Sequence, residues 1–165
     1  MTHLKELSIR LMEEEDASYL ARWLNDPEIL IWYPMCNERE IEDSVRIWLG
    51  YSKLKSAFTA LWNNEPCGMA VMYIQPFKKL SHQCLFAIIV AKEHRSKGVG
   101  KGLIEEMMKT AKESFNIEVF HLEVYQDNPA INLYRRLGFT EFGFQAHFIK
   151  EMGKYRGKFF MQREL

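Results

Sequence analysis

The sequence predicts an α/β protein: one mixed, mostly antiparallel sheet with a parallel strand pair at its centre, flanked by about four helices. Three observations carry this. Apolar runs of strand length and stretches of helical period share the 165 residues, with no repeat, low-complexity segment or linker between them, so one domain over 1–165 is expected. Three of the runs follow one another in the middle of the chain, separated by short turns, as in a meander. A long amphipathic helix then joins the last of them to another strand, the kind of crossover a parallel pair requires.

In chain order, "LSIRLM" alternates and reads as a strand, and "EEEDASYLARWLN" carries Leu20, Trp23 and Leu24 at helical spacing before Asp26-Pro27. "EREIEDSVRIWLGY" repeats that period with Ile41, Val45 and Leu49. "AFTALW", "GMAVMYI" and "CLFAIIV" form the meander, broken by "NNEPC" and "PFKKLSHQ". Val99, Leu103, Ile104, Met107, Met108, Ala111 and Phe115 trace one helix face. "VFHLEV" is a strand and "PAINLYRRLG" a short helix closed by Gly138. "FGFQAHFIKEMGKYRGKFFMQREL" is a hairpin turning near "EMGK".

Composition excludes several classes. Cys36, Cys67 and Cys84 lack any CxxC or Cys/His spacing, which argues against a disulfide framework and a zinc or other metal site. The first residues are charged, and no apolar run nears the roughly 20 residues of a membrane span, so a soluble, cytoplasmic protein without a membrane partner is expected. Net charge is zero, which speaks against a nucleic-acid binder. The charge is uneven, however: residues 1–50 hold eleven acids and five bases, and residues 51–165 hold eleven acids and seventeen bases. Ordinary solvated helix faces or two surfaces with different clients both fit that split.

"HRSKGVGKGL", after the strand "CLFAIIV", packs three glycines and three cations at a helix start. The first turn of a helix presents unpartnered N–H groups and a partial positive charge, so it suits an anion. Gly98, Gly100 and Gly102 would let backbone approach a phosphate. A P-loop fails on spacing, because Arg95 stands five residues before Gly100 where glycine is required. A dinucleotide fingerprint fits poorly, with GxGxG for GxGxxG and seven residues between Val90 and Gly98, although Glu123 is placed to mimic its ribose-binding acid.

"RSKGVG" satisfies Arg/Gln-x-x-Gly-x-Gly/Ala, and with "FAIIV" before it and "NPAINLYRRLGF" after it the chain resembles the GNAT superfamily of N-acetyltransferases. The likeness covers about residues 80–145 in motif and nearly the whole chain in element order. "WLNDPEI" resembles the branch acting on protein amino termini and small amines. The resemblance implies the GNAT fold, with acetyl-CoA held where two central parallel strands splay apart. Arg95, Ser96, Lys97, Gly98, Val99, Gly100 and Lys101 would wrap the pyrophosphate, mainly through their amides. Ile88 and Val90 would pair with pantetheine, and Asn128 and Tyr134 would lie beside the thioester. The family commonly places Asn seven residues before that Tyr, where this chain has Asp127, with Asn128 six before.

The chemistry sets further expectations. An amine attacks as the free base, and freeing one of pKa about 10.4 at neutral pH costs roughly 4 to 5 kcal/mol. Glu123, in a "LEV" shared with relatives that acetylate ribosomal-protein amino termini, is the expected base, directly or through water; the alternative is a simple ion pair with a surface cation. His82 and His121 are lesser candidates. Cys84 stands where histone-modifying relatives place a carboxylate, and it is a poor base. Tyr134 is the expected general acid: transfer from a phenol near 10 to a thiolate near 8.5 is uphill by only about 2 kcal/mol. The alternative is that its ring only packs against Phe139.

On the acceptor side the acidic opening helices suit a cationic amine, with Glu28 as a contact and Trp32 and Tyr33 as a pocket lip or cation–π surface. "YRGKFFM" resembles a pocket-closing strand, from which Tyr155 would reach the acceptor. The expected function is therefore acetyl transfer from acetyl-CoA to a primary amine, a peptide amino terminus or small polyamine, in a ternary complex. A non-catalytic acyl-CoA or nucleotide sensor is the competing reading. Monomer and homodimer both stand.

Overall fold

The computed structural model describes residues 6–165. Seven strands form one sheet in the order β1-β2-β3-β4-β5-β7-β6. These are β1 (Leu7–Leu11), β2 (Ala57–Trp62), β3 (Glu65–Ile74), β4 (Gln83–Val90), β5 (Val119–Tyr125), β6 (Thr140–Glu151) and β7 (Lys154–Glu164). The helices are α1 (Ala17–Leu24), α2 (Pro27–Leu30), α3 (Glu38–Ser52), α4 (Val99–Phe115) and α5 (Ile131–Arg136). No helix among the described residues is long and apolar enough to cross a membrane.

The meander forms as its turn chemistry dictates. Asn63 and Asn64 both take positive φ (48° and 70°), so β2 turns into β3 through two residues with Trp62 opposite Glu65. The terminal hairpin uses Met152 and Gly153 in the same way, at φ 49° and 76°. The alternation of β4 divides two cores. Cys84 and Phe86 face α4, with Leu103, Ile104 and Met107 all fully buried beneath that helix. Ile89 faces the opposite layer with Leu20, Leu24, Ile41 and Trp48 of the first helices. On α3 the buried residues are Ile41 and Trp48, while Val45 and Leu49 are only half-buried, so the buried stripe is rotated towards Trp48.

The expected parallel pair is β4 with β5, and it is short. Gln83, Cys84 and Leu85 pair with Val119, Phe120 and His121, after which the strands part. β3 pairs with β4 as far as Val90, so β4 stays extended while its other edge opens. Helix α2 was not anticipated between the two opening helices. Its signals are present: the Asp26 side chain accepts from the Glu28 amide at 3.0 Å, and Pro27 sits at the first helical position. Four residues are too few to show a period.

Candidate active site

Where β4 and β5 part, two connected cavities open. The larger, about 770 Å³, lies between β4, the loop into α4, and α5. The smaller, about 260 Å³, lies deeper, between β4, β5 and the opening helices. Both are lined by Trp32, Tyr33, Ile88, Asn128 and Tyr134, so they meet at these residues.

The larger cavity gathers ten of the expected cofactor residues: Ile88, Val90, Arg95, Ser96, Gly98, Val99, Gly100, Lys101, Asn128 and Tyr134. Its local geometry suits an anion. Ser96 and Gly98 have positive φ (62° and 83°), which turns the chain sharply ahead of the first turn of α4. A Cβ on Gly100 would stand 3.2 Å from Leu133 and reach Ile88 and Val90, so the absent side chain leaves the cavity floor open. Among the described residues its lining holds Arg95, Lys101 and Arg136 and no carboxylate. The residues present therefore fit a diphosphate-bearing donor.

Two expectations are corrected here. Lys97 lies outside the cavity, with its ammonium 5.2 Å from the centre of the Trp62 ring. Gly102 faces β1, where an added Cβ would meet Ile9 and Leu7 at 3.2 and 3.3 Å, so it allows close packing of α4 and not phosphate approach. Sequence reasoning also missed His94, Asn132 and Arg136 in the lining. Asn132 and Arg136 are four apart and share a face of α5, a spacing that could have identified them once Tyr134 was placed.

The free edge of β4 is partly engaged. The Tyr33 hydroxyl donates to the Ile88 carbonyl at 2.6 Å. That carbonyl therefore faces the cavity, and so does the Ile88 amide, because both groups of a strand residue point to one side. Tyr33 is thus a wall of the junction, and its phenol is pushed far up by burial.

Tyr134, 7% exposed, meets Phe86 and Phe139 edge-on at ring-centre distances of 6.4 Å each while lining both cavities. Packing against Phe139 and a place at the junction are both present. Burial raises the phenol well above its ordinary value, so direct proton transfer to a thiolate is more uphill than an ordinary phenol would suggest. Asn128 Oδ1 accepts from the Ala130 amide at 2.9 Å, fixing the turn into α5 and leaving the side-chain amide donors for the junction. Asp127 is exposed and lines neither cavity.

In the smaller cavity Glu123 pairs through Oε2 with Lys158 Nζ at 3.0 Å. The partner is a buried lysine on β7 and not a surface cation. Cys84 faces the α4 core, where burial pushes its thiol up to about 12, so it cannot serve the acceptor. His82 and His121 line neither cavity. Two expected acceptor contacts are not brought in. Glu28, 71% exposed, pairs with Lys92 at 2.9 Å. Tyr155, 52% exposed, stacks on His147. β7 does close the pocket, but through Lys158, three residues along and on the other face of the strand.

The comparisons agree with this geometry. Residues 10–139 match the model of the acetyltransferase (GNAT) family. An N-alpha-acetyltransferase of Sulfurisphaera tokodaii is 43% identical over 63 residues, a match spanning 38% of each chain. The L-amino acid N-acetyltransferase AaaT of Escherichia coli is 24% identical over 97% of this chain and 99% of its own. The yncA acetyltransferase structure from Salmonella typhimurium, with its cofactor acetyl-CoA, superposes with a TM-score of 0.83 at 20% identity, covering 98% of this chain and 95% of that one. The chain belongs to the acetyltransferase (GNAT) family, and its class is that of an acetyltransferase.

Proposed function

We propose that this chain carries an acetyl group from acetyl-CoA to a primary amine, a peptide amino terminus or a small amine, by direct attack with both reactants bound. The observation that carries this reading is the meeting of the donor-sized cavity with a smaller one at Tyr134, with Glu123 in the smaller. A non-catalytic sensor would need the first cavity but not the second.

Acetyl-CoA when bound supplies an activated acyl thioester. Arg95, Lys101 and the free amides of the first α4 turn hold its phosphates, and the Ile88 and Val90 edge aligns the pantetheine arm. Glu123 takes a proton from the ammonium through Oε1, since Oε2 is engaged by Lys158. For a peptide amino terminus of pKa about 8 this deprotonation costs only about 1 kcal/mol at neutral pH, within reach of a carboxylate and water. A C–N bond then forms and the C–S bond breaks. Of the two protons the ammonium loses, one leaves through Glu123 to solvent and the other ends on the coenzyme thiol. Tyr134, kept neutral by burial, donates to the departing sulfur and gives up its proton only as the amine replaces it.

The test is thiol release from acetyl-CoA with a panel of free-amino-terminal peptides and small amines, with products checked by mass spectrometry. Acetyl-CoA-dependent product from any of these amines is expected. Bound CoA without product from any of them would move the chain to the sensor class. Tyr134→Phe is expected to lower kcat about a hundredfold with little change in KM for acetyl-CoA. Unchanged turnover in that variant would remove the donor role.

A further inference from the structure

The smaller cavity holds more hydrogen-bond donors than Glu123 can satisfy. Lys158, whose side chain is 9% exposed, makes one hydrogen bond among the described residues, to Glu123. An ammonium carries three donors. One face of it lies over the Phe148 ring, 3.6 Å from the ring centre, and Lys158 also lines the cavity. Tyr125, 3% exposed and lining the same cavity, has a buried hydroxyl without a hydrogen-bond partner among the described residues. Arg156 stacks over the Tyr125 ring at 4.5 Å, and its Nε is likewise buried without a hydrogen-bond partner among the described residues. Buried donors without acceptors are unfavourable unless a ligand supplies the oxygens. The acids whose fields reach Tyr125 are Glu123, already engaged by Lys158, and Glu151, which is exposed.

The geometry points to a carboxylate-recognition site formed by Lys158 and Tyr125, so that the acceptor is a small amine carrying its own carboxylate: an α-amino acid with an apolar side chain. This rests on the acetyl-transfer reading above. The ammonium and carboxylate of an α-amino acid sit on one carbon, a separation close to that of the Glu123–Lys158 pair at 3.0 Å. Laid antiparallel against the pair, the ammonium meets Glu123 Oε1 while the carboxylate meets Lys158 Nζ and the Tyr125 hydroxyl. Much of the remaining lining, with Leu24, Met35, Trp48 and Leu85, is apolar and suits the side chain. A polyamine fits worse, because its second charge would face Lys158 without a free acid.

The experiment compares kcat/KM for three matched pairs that differ only by the carboxylate: L-phenylalanine with phenethylamine, L-leucine with isoamylamine, and L-methionine with 3-(methylthio)propylamine. At least one amino acid is expected to exceed its amine by about tenfold or more. Lys158→Met is expected to bring that ratio close to one, while Lys158→Arg keeps most of it. A retained rise in Tm with acetyl-CoA shows that each variant is folded. Amines that match their amino acids, or a ratio that survives in Lys158→Met, would overturn the proposal. So would an absence of turnover for all three amino acids, joined by no calorimetric binding to the CoA-loaded wild type. Acetylation of a peptide or polyamine in that same assay would leave the acetyl-transfer reading standing, whereas no acetylation of any amine would remove that reading as well.

Discussion

Asp16 is a buried carboxylate 3% exposed, and its environment explains how it stays charged. Arg10 grips it with two hydrogen bonds of 2.6 and 2.9 Å, the Thr59 hydroxyl donates at 2.7 Å and the Glu13 amide at 2.9 Å. Burial alone would raise its pKa, but these donors together outweigh burial and hold it below the usual carboxylate value. A depressed folded-state pKa contributes stability that is present above the unfolded value, about 3.9, and is lost as pH falls through the folded value. Asp16→Ala is expected to cost about 3 kcal/mol by urea denaturation at pH 7, since it strands Arg10 and Thr59, and less at acid pH. A cost independent of pH would contradict this account. At Gly100 the expectation is different: Gly100→Val fills the cavity floor, so acetyl-CoA affinity is expected to fall about tenfold or more with little change in Tm.

The terminal hairpin shows how an element delivers a side chain. The β6–β7 register slips between Gln145 and Ile149, opposite Lys158 and Arg156, and this bulge brings Phe148 over Lys158. Gly157 stands beneath it: an added Cβ would lie 2.4 Å from the Phe144 ring and 2.5 Å from Gln126 Oε1, which accepts from the Gly157 amide. Gly157→Ala is therefore expected to destabilise the fold by about 2 kcal/mol and to lower kcat/KM for the acceptor more than for acetyl-CoA, measured by denaturation and initial rates. Unchanged stability would mean that the hairpin yields there freely. The strands and the three longer α-helices were legible because local signals decide them: alternation in β1, apolar runs bounded by turn residues in the meander, and a 3.6-residue stripe in α1, α3 and α4. Which face a β7 residue uses was not, because one position of register separates exposed Tyr155 from inward-facing Arg156 and Lys158. A lysine between glycine and "FFM" was the available signal.

At the scale of the molecule, the sheet works by being incomplete. Three paired residues hold β4 to β5, and their divergence makes one opening with a cationic outer chamber and an inner one that sets the Glu123–Lys158 pair among largely apolar walls. The glycine-rich motif announced the outer chamber, since its residues are contiguous. The inner one draws on eight separated stretches from Leu24 to Lys158, whose convergence no spacing encodes. The acidic first fifty residues do not supply the acceptor contact expected from their charge: Glu28 is spent on Lys92 at the surface. Binding the donor should stabilise the whole fold, by about 2.7 kcal/mol at a hundred times its dissociation constant. Calorimetric titration of acetyl-CoA into wild type, Gly100→Val and Lys158→Met, with NAD as control, tests whether the outer chamber is the donor site. One site in wild type and in Lys158→Met, weakened in Gly100→Val and indifferent to NAD, is the predicted result. Binding of NAD in place of acetyl-CoA, or acetyl-CoA binding untouched by Gly100→Val, would contradict it.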